Sequence, residues 1–109
     1  METTDIDKFR KRTHDAIRVL AFFKAKKYKG PELEKVLMSL VAPTRGEEGN
    51  ISYVLHRRSG DPDSLMFDEI WTGSAALDEH MKKPYLVSLH EKIDHLIEEP
   101  PRIEVYSEV

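Results

Sequence analysis

The chain has 109 residues, no cysteine and a formal net charge of −3 from 17 basic and 20 acidic residues. That size confines it to one domain, and the missing cysteines remove disulfides, thiolate nucleophiles, iron–sulfur clusters and cysteine-bound zinc. Both signs are mixed along the whole length and no apolar run approaches the roughly 20 residues of a membrane span, so neither nucleic acid nor a membrane is an expected partner.

Residues 1–16 are polar, with only Ile6 and Phe9 spaced for an amphipathic turn behind Asp5. They read as a tail or a short accessory helix, and as they lack an apolar signal-peptide core, a cytoplasmic protein is expected. Residues 17–109 form the domain. From Ile17 to Ala25, the residues Ile17, Val19, Ala21, Phe23 and Ala25 alternate with a half-apolar second set that includes Leu20 and Phe22. This is the period of a strand whose second face also needs cover. Gly30 and Pro31 then open a helix in which Leu33, Val36, Leu37, Leu40 and Val41 share a face while Glu32, Glu34 and Lys35 meet water. Pro43 disturbs its end.

Ile51–Arg57 and Leu65–Thr72 are strand-like runs on either side of the turn-forming cluster Ser59 to Asp63, which predicts an antiparallel hairpin. Ser74 is placed to cap a short helix over Ala75–Met81, and Pro84 to open a longer one striped by Leu86, Leu89, Ile93, Leu96 and Ile97. Pro100 and Pro101 stop that helix, and Ile103 and Val105 alternate with Arg102, Glu104 and Tyr106 in a last strand. The order βαββααβ predicts an α+β, ferredoxin-like domain: a four-stranded antiparallel sheet with helices on one face. The bare face and the small core both favour a second copy as cover.

Chemistry concentrates between Phe67 and His80. Phe67, Glu69 and Trp71 share one face of a strand, and His80 ends the helix that follows. An imidazole can take a phenolic proton near neutral pH and return it, which makes His80 the candidate base; the plainer role is a cap on helix carbonyls. Glu69 could orient His80, accept a substrate hydroxyl, or pair with Arg57 or Arg45. Tyr53, in phase with Ile51, Leu55 and Arg57, could offer its hydroxyl to a substrate carbonyl, whereas Phe67 and Trp71 suit a core or a pocket wall. His90 lies on the apolar stripe, where a histidine is most often a satisfied core residue. His14, His56 and His95 have no metal-binding spacing, and no glycine pattern fits a dinucleotide or triphosphate, so no metal and no cofactor are expected.

Four pieces occur in order: Arg45-Gly46-Glu47-Glu48-Gly49, Glu69-Ile70-Trp71, Ala75-Ala76-Leu77-Asp78-Glu79-His80, and Pro100-Pro101 through Tyr106. In this order the chain resembles, from about Ile17 to Val109, the antibiotic biosynthesis monooxygenase family, which includes quinol monooxygenase-like proteins. The resemblance implies a dimeric α+β barrel, two protomers packing sheet against sheet. It also implies a cofactor-independent oxidation of a quinol or related aromatic or polyketide-like substrate by molecular oxygen. His80 and Glu69 would then be catalytic, and Trp71, Tyr53, Phe67, Phe23, Tyr85 and His90 would contact substrate. Two positions depart from the pattern: Asn50 stands where a cysteine often follows the loop glycine, and Lys83-Pro84-Tyr85 puts a phenol where an imidazole is frequent.

Haem-degrading relatives of this fold use a helix histidine, a first-strand asparagine and a short-helix tryptophan. The matching positions here are His90, Phe23 and His80; only the histidine is kept, so haem degradation is not expected. Two other readings stay open on the same scaffold. One is an isomerase of a small phosphorylated metabolite of the autoinducer-2 degradation type, with Lys24, Lys26 and Arg57 to meet phosphate. The other is a non-catalytic small-molecule-binding, stress-response dimer.

Overall fold

The computed structural model describes residues 15–109, so the expected N-terminal tail or accessory helix lies almost wholly outside the described part. Its elements are β1 (Ile17–Lys24), α1 (Gly30–Met38), α2 (Val41–Arg45), β2 (Asn50–Arg58), β3 (Asp61–Trp71), α3 (Ser74–Met81), α4 (Pro84–Val87), α5 (Leu89–Ile93) and β4 (Arg102–Ser107). The sheet runs β2-β3-β1-β4 and every neighbouring pair is antiparallel. This is the ferredoxin-like arrangement expected from the order of elements.

The pleat decides what is buried. Val19, Ala21 and Phe23 of β1 and Leu65, Phe67 and Trp71 of β3 all lie at 6% exposure or less, packed with Leu33 and Leu37 of α1 and with Leu89 and Ile93 of α5. The alternate residues, among them Arg18, Leu20, Phe22, Met66, Asp68 and Ile70, face away from the helices, where no described element covers them. On β4 the core-side positions Ile103 and Val105 remain half exposed, at 53% and 52%, because the helices stop short of this edge strand.

Several expected elements divide or shift, each for a local reason. The helix after Gly30 ends at Met38, where Ser39 and Leu40 donate to carbonyls three residues back. A continuous helix would drive the Pro43 ring into the carbonyl of residue 39, so α2 begins afresh and turns Leu40 and Val41 inward. The long helix after Pro84 becomes two short ones. The backbone beyond Ile93 must bring Ile97 against Ala25, and Lys26 N–H donates to Leu96 O (2.8 Å) and Glu98 N–H to Lys24 O (2.9 Å). Ala25 therefore forms an isolated bridge rather than the end of β1. Gly73, with an extended backbone, occupies the N-cap position expected for Ser74, and no side chain caps α3. The hairpin turn is tighter than the five-residue cluster suggests: Arg58 pairs with Asp61 across Ser59 and Gly60, and Gly60 takes φ +80. Pro62 follows beyond the last β1 partner, so its missing N–H breaks no ladder bond.

Asp63 locks the entry to α1. Its carboxylate accepts from Gly30 N–H (2.8 Å) and Tyr28 N–H (3.1 Å), while its carbonyl accepts from Ala25 N–H (2.7 Å). The approach leaves no room at Gly30, where an added Cβ would stand 1.9 Å from Pro62 O. Gly30→Ala is expected to cost at least about 2 kcal/mol, read as a lower urea midpoint with an unchanged slope; an unshifted midpoint would show that the turn relaxes freely.

Candidate functional site

The polar residues of the interior meet between the end of β3, the start of β2, and α3. Glu69 and Trp71 point the same way from β3, and the indole Nε1–H donates to Glu69 Oε1 at 2.9 Å. Tyr53 lies opposite Glu69 in the β2–β3 register, stacked on Phe67 with ring centroids 4.4 Å apart. Phe67 meets Phe23 edge-on at 6.2 Å. His80, on the last turn of α3, rests 4.5 Å from the Trp71 ring and 5.7 Å from the Tyr53 ring, and is 2% exposed. It is a core residue and not a surface cap.

The group that fixes His80 is Glu47, on the loop between α2 and β2. His80 Nδ1 lies 2.8 Å from Glu47 Oε2, and the Tyr85 hydroxyl of α4 donates to the same oxygen at 2.5 Å. The Glu47 side chain is 5% exposed. Its loop reaches α3 through Gly49, at φ +93, where an added Cβ would come 2.6 Å from the Ala76 Cβ. Thr72 N–H, at the end of β3, donates to Gly49 O at 2.9 Å and ties the loop down. Thr44, fully buried on α2, has the one buried side-chain oxygen without a hydrogen-bond partner among the described residues.

The electrostatics follow from burial. The Glu69 carboxyl is pushed up from an ordinary 4.5 to about 7, first by desolvation and then by the charges of Asp68 and Glu47; the Trp71 bond opposes the shift. The Tyr53 phenol is pushed far up, first by burial and then by Glu69, so it is a protonated donor at any ordinary pH. Tyr85 rises to about 12, by desolvation first and then by its bond to Glu47 and the charge there.

The structure thus brings His80, Glu69, Trp71, Tyr53 and Phe67 into one buried cluster, with Phe23 at its edge and Tyr85 joined to it through Glu47. Glu69 is hydrogen-bonded to the indole and not to His80. Nor do its expected arginines hold it: Arg45 donates to Tyr53 O and Arg57 to Glu34, which binds Arg57 instead of simply facing water. Ile51 leaves the phase of Tyr53 because the β2 register shifts between Asn50 and Ser52, and it is 54% exposed. His90 is not in the core and stands apart from this cluster: its side chain is 76% exposed, with Nε2 3.7 Å from Asp94. Glu47 and Thr44 were not singled out by sequence reasoning. Glu47 stands in the Arg45–Gly49 motif, yet only the fold brings it to a histidine 33 residues away.

No group of three potential metal ligands occurs among the described residues. A surface hollow of about 520 Å³ opens on the far face of the sheet between Phe22, Lys24, His56, Arg58, Met66 and Arg102. Arg57 also borders it, but Lys26 does not, so the expected phosphate trio is divided and the sheet separates it from His80. Another hollow, about 210 Å³, lies beside His90 and Asp94.

The family model described as antibiotic biosynthesis monooxygenase matches residues 16–92. A protein of Synechocystis sp. is 34% identical over 92 residues, covering 84% of this chain and 63% of its own, so the chain spans less than two thirds of that relative. A Mycobacterium tuberculosis protein that carries the name "putative monooxygenase" is 29% identical over 89 residues, covering 82% of this chain and 87% of its own. A solved protein of Shewanella oneidensis, 31% identical, superposes with a TM-score of 0.81 over 87% of this chain and 92% of that one.

Glu69 generates a pH signature. A carboxyl with a higher value folded than unfolded (~4.3) binds an extra proton in the folded state. Its contribution is therefore full below the unfolded value and lost as pH rises through about 7. Wild type should lose on the order of 3 kcal/mol more than Glu69→Gln between pH 4.5 and 8, measured by urea unfolding; parallel profiles would show Glu69 ionised throughout.

Proposed function

The chain belongs to the antibiotic biosynthesis monooxygenase family, and on that premise we propose that it is a cofactor-independent monooxygenase acting on a quinol or related small aromatic with molecular oxygen. The observation that carries this reading is a buried imidazole with Nδ1 committed to a carboxylate and aromatic rings around the rest of it. Nε2 is left to take a proton from a phenol. The ionised substrate is electron-rich enough to reduce oxygen itself, so the protein supplies a base, a dry pocket and a fixed geometry.

The balance closes without a further reductant: a hydroquinone and dioxygen give a hydroxyquinone and water. One oxygen atom enters the ring and the other leaves as water, with all four electrons drawn from the substrate. His80 takes the first proton and returns it to the departing oxygen. Trp71, Tyr53 and Phe67 form walls for a flat substrate, and Glu69, largely protonated below about pH 7, can donate to a substrate oxygen. His80 is closed to solvent in this conformation, so entry requires a local opening around it, a gating step of a kind common in enzymes.

Oxygen uptake with a hydroquinone panel tests the reading. His80→Asn keeps an amide near the position of Nδ1 and removes the base; it should lower turnover by about 10²- to 10⁴-fold with the fold intact by circular dichroism. Uptake no faster than the uncatalysed rate for every hydroquinone would overturn it.

The proposed partner is a second copy of the chain, packed sheet to sheet. Leu20, Phe22, Val54, Met66 and Ile70 on the bare face, around the Arg18–Asp68 ion pair (2.9 Å), are the surface it would cover. Val54→Glu is expected to convert a dimer to a monomer in sedimentation equilibrium, and a monomeric wild type would refute the packing.

A further inference from the structure

We propose that Glu47 is the positioning residue of His80 and that the Tyr85 hydroxyl holds Glu47 in place, so the base is built from three elements rather than from α3 alone. The catalytic part of this inference rests on the function proposed above; the structural part does not.

Glu47 Oε2 accepts from the Tyr85 hydroxyl at 2.5 Å and lies 2.8 Å from His80 Nδ1, and an ionised carboxylate only accepts hydrogen bonds. Neutral His80 must therefore carry its proton on Nδ1 and present an unprotonated Nε2, the reverse of the tautomer that free imidazole side chains favour. Both groups are shut away from water, the His80 side chain at 2% and the Glu47 side chain at 5% exposure, so solvent does not compete for this contact.

Tyr85 matters because an ionised carboxylate at that depth needs more than one donor. Its hydroxyl also approaches Pro43 O of α2 at 3.4 Å. It therefore bridges α4 to the segment that leads into the Glu47 loop. Glu69, the other buried carboxylate, cannot take this role, since its bond is to the indole of its own strand.

Nitrogen-15 NMR of the imidazoles in wild type, at a pH where His80 is neutral, tests the structural part without any substrate. The expected result is protonated Nδ1 and bare Nε2 for His80, reverting to the Nε2–H form or a mixture in Glu47→Ala. A wild-type proton on Nε2 would overturn the assignment, as would a tautomer unchanged in the variant. Where oxygen uptake is observed, Glu47→Gln should lower kcat by about 10- to 100-fold with little change in KM and should displace the pH–rate profile. Glu47→Asp should recover part of the loss, and Tyr85→Phe should cost less than Glu47→Gln. An unchanged kcat and pH profile in Glu47→Gln would refute the positioning role. Protonated Nδ1 in a protein with no oxygen uptake would sink the monooxygenase reading while leaving the structural assignment standing.

Discussion

A carboxylate taken out of water has to be met by donors, and in this chain that demand joins three segments distant in sequence. Glu47 belongs to a loop, His80 to the last turn of α3 and Tyr85 to α4, and the hydrogen bonds converging on one oxygen decide where each can sit. The sheet supplies the floor beneath them: Tyr53, Phe67 and Trp71 lie at 2% exposure or less. The helices over that floor are short and broken, and polar contacts join apolar packing in holding them.

Two buried carboxylates in one small core present different solutions to the same cost. Glu47 is supplied with donors; Glu69 has only the indole and two like charges nearby, and responds by holding its proton. One core thus contains an acceptor beside the imidazole and an acid across from it. Such a division of roles between titratable groups is the arrangement proton-transfer chemistry uses.

The sheet was legible in the sequence because its signals are local. Alternation in Ile17 to Phe23 and in Leu65 to Trp71 reports the buried face directly, and Gly60 marks the hairpin. Helix interruptions were harder, since the stripe at Leu86, Leu89 and Ile93 looks the same whether the backbone is continuous or breaks at Ser88, and the bridge that carries Ile97 to Ala25 after Ile93 joins segments far apart in sequence. Within the site, Glu69, Trp71 and His80 stood out by chemistry and spacing. The partner of His80 did not, because 33 residues separate Glu47 from it and a glutamate in a charged loop ordinarily faces water. His90 misled for the opposite reason: helical phase placed it on an apolar face that turns outward once the helix is divided.

Gly49 has no side chain, yet its missing methyl lets the Glu47 loop close onto α3. With its backbone pressed against Ala76, the loop acts as a spacer of almost no thickness, which brings the Glu47 side chain within reach of His80. Sensitivity to mutation in this fold therefore need not follow functional groups. A residue with no side chain can act as the gauge between a carboxylate and an imidazole.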